Sequence, residues 1–373
     1  MKSSQLRLFT KRFFIYLNVF VVGVFALACL VPYLNPQKWW FISFLGLAFP
    51  FLLLLVLAFL IWWLAVLKPR LSLISVAGMI IGIKSISLFM AFHRPVAFDH
   101  NKEPHTLRVV SWNVARFIEL KRNNNKGSLV RLQMFDQIKA QNADVLCLQE
   151  FHTSIDSNYY NNIEAVQQLG YPYFYFSYDA DGDKHFYSSI IFSRYPIIDS
   201  GLVRYPRPTL PDALIHADIN FKGDTVRLYT THLQSLQFTK SDYEKLHEIK
   251  EANDSLLSNS RTIFSKLKKG VSYRSIQAGI ISDVIENSPH PVIFCADLND
   301  VPNSYTYHTV RGDMQDAFLK KGFGIGRTFS AISPTLRIDY IFADDHFRVR
   351  QFNRIARKLS DHYMIEADLQ LKK

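Results

Sequence analysis

The first 92 residues of this 373-residue chain contain no aspartate and no glutamate. Eight of its 43 lysines and arginines lie there, leaving 35 basic residues against all 32 acidic ones in the remainder. The formal net charge of +11 therefore belongs mostly to the N-terminal part, and the rest carries about +3. Such an even balance does not by itself imply a nucleic-acid-binding surface. Cysteine is scarce too: Cys29, Cys147 and Cys295, each inside an apolar run. Three thiols placed so make neither a disulfide framework nor a paired C-x-x-C zinc site, and they read as buried free thiols. No Walker loop, G-x-S-x-G elbow or H-E-x-x-H helix occurs, which removes the usual signatures of P-loop nucleotide binding, serine hydrolysis and zinc proteolysis.

What fills the acid-free part is hydrocarbon. Three apolar stretches, Phe13–Leu34, Trp40–Leu67 and Leu71–Phe92, are each long enough to cross a ~30 Å bilayer core at about 1.5 Å per residue. Trp39, Trp40, Trp62 and Trp63 stand near span ends, where amphipathic rings favour the interface. A cleaved leader fits poorly, because two further spans follow and no small-residue cleavage site is evident. Residues 1–92 thus read as a membrane domain of about three spans. The alternative is that the last pair forms a re-entrant hairpin. Four basic residues in the N-terminal tail, one in the first turn and two in the second put the N-terminus and second turn in the cytoplasm. With three spans in an inner or plasma membrane, the C-terminal domain is then extracytoplasmic. Lys84, inside the third span without an acidic partner, fits a residue that faces the bundle or snorkels better than an intramembrane site.

Residues 93–106 form a polar linker, and residues 107–373 are long enough for one large α/β domain. Apolar residues at Leu129, Leu132, Phe135 and Ile138 predict a helix between two strands; another helix is expected over Ile155–Leu169 and a long helical insert over 239–287. Within that insert IFSKLKKG is a basic amphipathic turn, readable as a lipid contact or as an ordinary solvated face. Alternating strand clusters and helices predict two sheets with helices outside.

The strand-like runs VVSWN, DVLCLQE, VRLYTTHLQS, PVIFCADLND and RIDYIFAD carry or approach polar residues: Asn113, Glu150, His232, Asp297 with Asn299, and Asp339. Ser360-Asp361-His362 follows near the C-terminus. A strand spends apolar residues on burial, so a run of polar tips points to one shared site. Oxygen donors plus imidazoles suit a hard cation and the charge neutralisation that phosphoryl transfer needs. DADGD at 179–183 lacks the spacing and closing glutamate of a calcium loop and reads as a turn.

SWNV, LQE, THLQS, ADLND, DYIF and SDHY, in that order, resemble the motif series of the endonuclease/exonuclease/phosphatase superfamily, which includes deoxyribonucleases, abasic-site endonucleases, inositol-polyphosphate 5-phosphatases and Mg²⁺-dependent sphingomyelinases. The resemblance covers about residues 107–371 and implies a four-layer αββα sandwich with two mixed β-sheets and a site at one end. It implies Mg²⁺ (or Mn²⁺) on Glu150, with Asn113 and Asp361 in or near the metal shell. It implies Asp297 as the residue that orients or deprotonates water, and Asn299 as a water or phosphate contact. His362 would meet the scissile phosphate with Asp339 behind it, and His232 would be a second phosphate or leaving-group contact. Arg274 is a further candidate substrate contact, with a surface position as its alternative. The chain departs from the family in FYSSIIFSRYP, with Ser188 or Ser189 where a small residue such as glycine is usual, and in Phe151-His152 after Glu150, where several nucleases have a basic residue.

Three functions follow: a membrane-anchored metal-dependent phosphodiesterase acting on lipid headgroups or other membrane-proximal phosphoesters, a metal-dependent nuclease, or a silent membrane interaction module. The partners indicated are the phosphoester substrate and the bilayer; no protein partner is indicated.

Overall fold

The computed structural model describes residues 2–94, 96–119, 129–206, 208, 212–236, 256–331 and 333–372. The chain opens with α1 (Lys2–Leu30) and α2 (Pro36–Ala65), then α3 (Pro69–Ile81) and α4 (Ile83–Phe89). Asn35 caps α2 by accepting from Gln37 N at 2.9 Å, and Pro36 supplies a preset first-turn φ. Two helical stretches, Gln5–Tyr33 and Pro36–Ala65, are long and apolar enough to cross a membrane. The expected third span is not one straight helix: α3 and α4 meet at Gly82 at 63°, and helix gives way to strand before Phe92. Gly82 lies against the Phe25 ring, where a Cβ has no room, so the bend is packed in place.

Beyond it the strands are β1 (Ala91–Phe92), β2 (Thr106–Asn113), β3 (Val145–Ser154), β4 (Tyr173–Phe176), β5 (His185–Ser193), β6 (Ile197–Arg204), β7 (Ala213–Phe221), β8 (Asp224–His232), β9 (Val292–Asp297), β10 (Gln315–Asp316), β11 (Phe323–Gly324), β12 (Asp339–Ala343), β13 (Phe347–Ile355) and β14 (Met364–Leu371). The helices are α5 (Leu129–Gln141), α6 (Asn162–Gln167), α7 (Leu256–Glu286), α8 (Tyr305–Arg311) and α9 (Ala317–Lys321). One six-stranded sheet runs β10-β12-β9-β8-β7-β6 and the other β13-β14-β2-β3-β5-β4. Both are mixed, with β8–β9 and β2–β3 as parallel pairs. The helix expected over Ile155–Leu169 shrinks to α6, because β3 keeps pairing with β5 as far as Ser154. Of the insert expected over 239–287, α7 accounts for 256–286, and the part before it lies outside the described residues.

The sheets meet through their inner faces, where Val109, Cys147 and Ile191 of one pack with Ile215, Leu228, Ile293 and Ile341 of the other. Each such side chain contributes about 1.5–3 kcal/mol by burial. Met134 and Ile138 of α5 cover the outer face of the second sheet, and Ala278 and Ile281 of α7 with Tyr307 of α8 cover the first. The result is the αββα sandwich. All three cysteines are buried and free.

The N-terminal helices dock on the sandwich. Asn303 Nδ2 donates to Ala28 O at 2.9 Å, Arg337 Nη2 to Leu88 O at 2.7 Å, and Tyr33 meets His308 edge-on at 4.8 Å between centroids. The amphipathic turn in α7 lies against α2: Phe264 packs on Phe44, and Lys268 Nζ stands 4.7 Å from the Trp40 ring centroid.

Candidate active site

Sheet register gathers the polar tips. Asp297 ends β9, with His232 opposite it on β8 and Asp339 opposite it on β12, so three neighbouring strands deliver an imidazole and two carboxylates side by side. From the facing sheet β2 ends at Asn113, while β3 breaks register between Leu148 and Phe151 and throws Glu150 into a left-handed conformation at φ 51°. A bulge re-aims a side chain in this way at a modest conformational cost. Asn299 (φ 51°) and the turn Ala115–Ile118, all at positive φ, add strain beside the same site.

His362 Nδ1 lies 3.0 Å from each Asp339 oxygen, and its Nε2 points at Asp297 Oδ2, 3.6 Å away. This is a carboxylate-oriented imidazole with its free nitrogen aimed into the site. His232 Nε2 is 3.6 Å from Glu150 Oε1 and 3.7 Å from Asp297 Oδ2. Its Nδ1 faces Asp212 Oδ2 at 3.3 Å, a charge contact rather than a well-aligned hydrogen bond. Asn113 Nδ2 donates to both Glu150 Oε1 (3.1 Å) and Asp297 Oδ2 (3.0 Å), while its Oδ1 accepts from Ala115 N.

Burial alone would push both imidazoles down. For His362 the charges of Asp339 and Asp297 outweigh it and hold the pKa up at about 10. For His232 the partner that outweighs it is Asp212, helped by Glu150 and Asp297, again to about 10. Burial raises the Asp297 pKa and Asp339 adds to the rise, against the two imidazoles. The neighbouring carboxylates thus favour the charged form of both imidazoles, while burial makes Asp297 more basic than an ordinary aspartate.

These groups end a cavity of about 700 Å³. Glu150, His232, Asp297, Asn299, Asp361 and His362 line its polar end. Leu47 and Phe51 of α2 and Ile263 and Leu267 of α7 line the same cavity.

A family model described as Endonuclease/Exonuclease/phosphatase family matches residues 110–362. The chain belongs to that family. A second model, described as a domain of unknown function (DUF8431), matches residues 11–89. No curated protein matches the chain in sequence. Among solved structures, an endonuclease/exonuclease/phosphatase from Beutenbergia cavernae is 20% identical, with 72% of each chain covered and a TM-score of 0.50. The human Nocturnin catalytic domain, solved with a bound sulfate, is 16% identical over 72% of this chain and 94% of its own, at 0.49. A humanised D. rerio TDP2 is 17% identical over 71% and 99%, at 0.47.

Endonuclease/exonuclease/phosphatase family members are in general phosphoester hydrolases that use divalent metals. The donor set here fits such an ion. Five carboxylates, Glu150, Asp212, Asp297, Asp339 and Asp361, surround two imidazoles, a formal excess of negative charge that a hard dication offsets. Glu150 and the exposed Asp361 line the cavity and offer it carboxylate oxygens. Asp297, Asp339 and His362 also present ligand atoms within 4.8 Å of one another.

Most residues expected from the sequence come together here, with two displaced in emphasis. Asn113 presents its amide nitrogen to the carboxylates and so positions them. Arg274 does not line the cavity; it is buried, giving Nε to Asp300 at 3.1 Å and Nη1 to Gln234 O at 3.0 Å. Its neighbour Gln277 accepts from Gln234 N at 2.9 Å, bracing the same segment. Sequence reasoning missed Asp212, Thr328 and the α2 residues. Thr328 Oγ1 accepts from Ile338 N and Asp339 N, fixing the start of β12 behind His362.

Proposed function

We propose that the chain is a membrane-anchored, divalent-metal-dependent phosphodiesterase acting on lipid headgroups or other membrane-proximal phosphoesters. The observation that carries this reading is one cavity lined both by the His362–Asp339 and His232–Asp297 constellation and by a helix long and apolar enough to cross a membrane. Glu150 and Asp361, with Asn113 steadying Glu150, would hold Mg²⁺ or Mn²⁺, which would supply charge neutralisation for the phosphate. Asp297, its basicity raised by burial, takes a proton from the attacking water. The water oxygen bonds to phosphorus as the bond to the leaving oxygen breaks. Cationic His362 holds a non-bridging oxygen, and Asn299, its backbone N bonded to Asp297 and its amide to Leu233 O, helps hold water or phosphate. Cationic His232 gives its proton to the departing oxygen, which balances the proton taken by Asp297.

The cavity lining contains no lysine or arginine among the described residues, which favours a substrate of low charge over a polyanionic strand. The test is hydrolysis of bis(p-nitrophenyl) phosphate by the full chain in nanodiscs. Turnover with Mg²⁺ or Mn²⁺ that EDTA abolishes is expected. Asp297→Ala and Asp339→Asn should each lower kcat by about 10²–10⁴-fold. Wild-type protein that turns over nothing with either metal sinks the reading.

A further inference from the structure

A catalytic cavity formed only by the sandwich would need no membrane helix. Here Leu47 and Phe51, one turn apart on α2, line the same cavity as Asp297 and His362. Leu236, Ile263 and Leu267 complete an apolar trough beside them. The segment Phe329–Leu336, reading FSAISPTL, carries no charge, and Phe329, Ser333, Pro334, Thr335 and Leu336 continue the same wall.

Helix length sets the depth of that wall. Counted back from Ala65, the last residue of α2, a ~30 Å core at about 1.5 Å per residue takes about 20 residues and reaches Gly46. Counted instead from Trp62 to Trp40, taken as interfacial anchors, the core spans about 33 Å. In both frames Leu47 and Phe51 fall within the hydrocarbon. Lys268, over the Trp40 ring, falls at headgroup level; from the same turn Leu267 lines the cavity, while the half-exposed Phe264 packs on Phe44 of α2. Phe51 is 54% exposed, open on the side where acyl chains would be.

We propose that the trough between α2 and α7 is a tail site, which receives one hydrocarbon chain of an amphiphilic phosphoester laterally from the bilayer while its phosphate lies against Asp297 and His362. The substrate class is a phosphodiester with a long alkyl or acyl chain on the side remote from the leaving group. The proposal rests on the hydrolase reading for where the phosphate sits; the tail site itself rests on α2. It makes the membrane helix part of the substrate site rather than a tether.

The experiment uses the full chain in nanodiscs with Mg²⁺ and three diesters sharing one leaving group: p-nitrophenyl methyl phosphate, p-nitrophenyl hexadecyl phosphate and p-nitrophenyl thymidine 5′-phosphate. The hexadecyl diester should exceed the methyl one in kcat/KM by about tenfold or more, the effect of burying a few methylenes. Leu47→Trp, which fills the trough, should bring that ratio towards one, whereas Leu73→Trp, at an exposed position on α3 away from the trough, should keep it. A ratio that survives Leu47→Trp unchanged reports partition into the nanodisc and overturns the tail site. Equal rates for hexadecyl and methyl diesters, or a preference for the thymidine diester, overturn it while leaving hydrolysis standing. A separate readout does not depend on turnover: a hexadecyl phosphate with a diazirine in its chain should photolabel peptides containing residues 47–51 and 263–267. If no diester is cleaved but those peptides are labelled, the hydrolase reading falls and the tail site stands; labelling elsewhere removes the tail site.

Discussion

Glu366 shows how a residue away from the cavity can govern the protein's response to pH. It lies on β14, fully buried, with Asn353 Nδ2 on Oε1 at 2.9 Å and no hydrogen bond to Oε2. Burial raises its pKa to about 7, against the lowering pull of Asn353 and Arg108. A carboxyl whose folded pKa is raised favours folding fully below its unfolded value near 4.5 and loses that contribution as pH rises to about 7. The expected loss across that window is on the order of 3 kcal/mol. Glu366→Gln keeps the Asn353 bond and removes the titration, so its melting temperature should exceed the wild type's at pH 8 and match it more closely at pH 4.5. Parallel wild-type and variant melting curves from pH 4.5 to 8 would rule this out. Single residues also differ in how far the sequence exposes them. Asp339 was legible because a charge inside RIDYIF is costly unless paired, and His362 is the pair. Asp212 was not: it sits in YPRPTLPDA, where an aspartate after proline looks like any turn residue, and only the fold brings it within 3.3 Å of His232.

At the scale of elements, α2 and the loop after β9 are fitted to each other without slack. A Cβ at Gly46 would run into Asn303 O, and that loop also carries Asn299 and Asp300, two and three residues after Asp297. Gly46→Val should therefore push the helix off the loop and shift the water-orienting groups. Displacements near 1 Å cost up to about 10²-fold in rate, so kcat/KM for the hexadecyl diester is expected to fall by about tenfold or more. Gly23→Ala in α1, where a Cβ meets nothing within 4 Å, is the matched control and should change little. Wild-type activity in Gly46→Val would mean that α2 is not held on the loop. The sandwich strands were readable because their apolar runs are dictated by burial on both faces. The helix expected over Ile155–Leu169 failed because Asp156-Ser157-Asn158 makes a turn, with Asn158 N bonded to Asp156, and only after Asn161 caps does a helix begin. The bend at Gly82 was equally hidden: hydropathy is the same for a straight span and for one folded over Phe25 and held by Arg337 on Leu88 O.

For the whole molecule the contacts between helices and sandwich bear on how the chain would cross a bilayer. The end of α1 and the first turn touch the sandwich through Ala28 and Tyr33, and the end of α4 touches it through Leu88. The turn at Lys68 lies at the other end of α2, about 45 Å away along the helix. If α1 and α2 both cross, the first turn and the sandwich share one face and the Lys68 turn lies on the other. A re-entrant α3–α4 would return the chain to the Lys68 face and put the sandwich across the bilayer from Tyr33, which the His308 contact forbids. On that premise the bent pair would complete a third crossing. With four basic residues in the N-terminal tail and two in the second turn against Lys38 alone in the first, the sandwich is expected outside the cytoplasm. A C-terminal alkaline phosphatase fusion should be active and an N-terminal fluorescent fusion should resist external protease. An inactive phosphatase with a cytoplasmic C-terminus would reverse the orientation and place the tail site on the inner leaflet. A third crossing abolished by deleting residues 69–89, with the C-terminus moved to the cytoplasm, is the matching expectation, because that bent pair alone returns the chain to the face where Tyr33 meets His308.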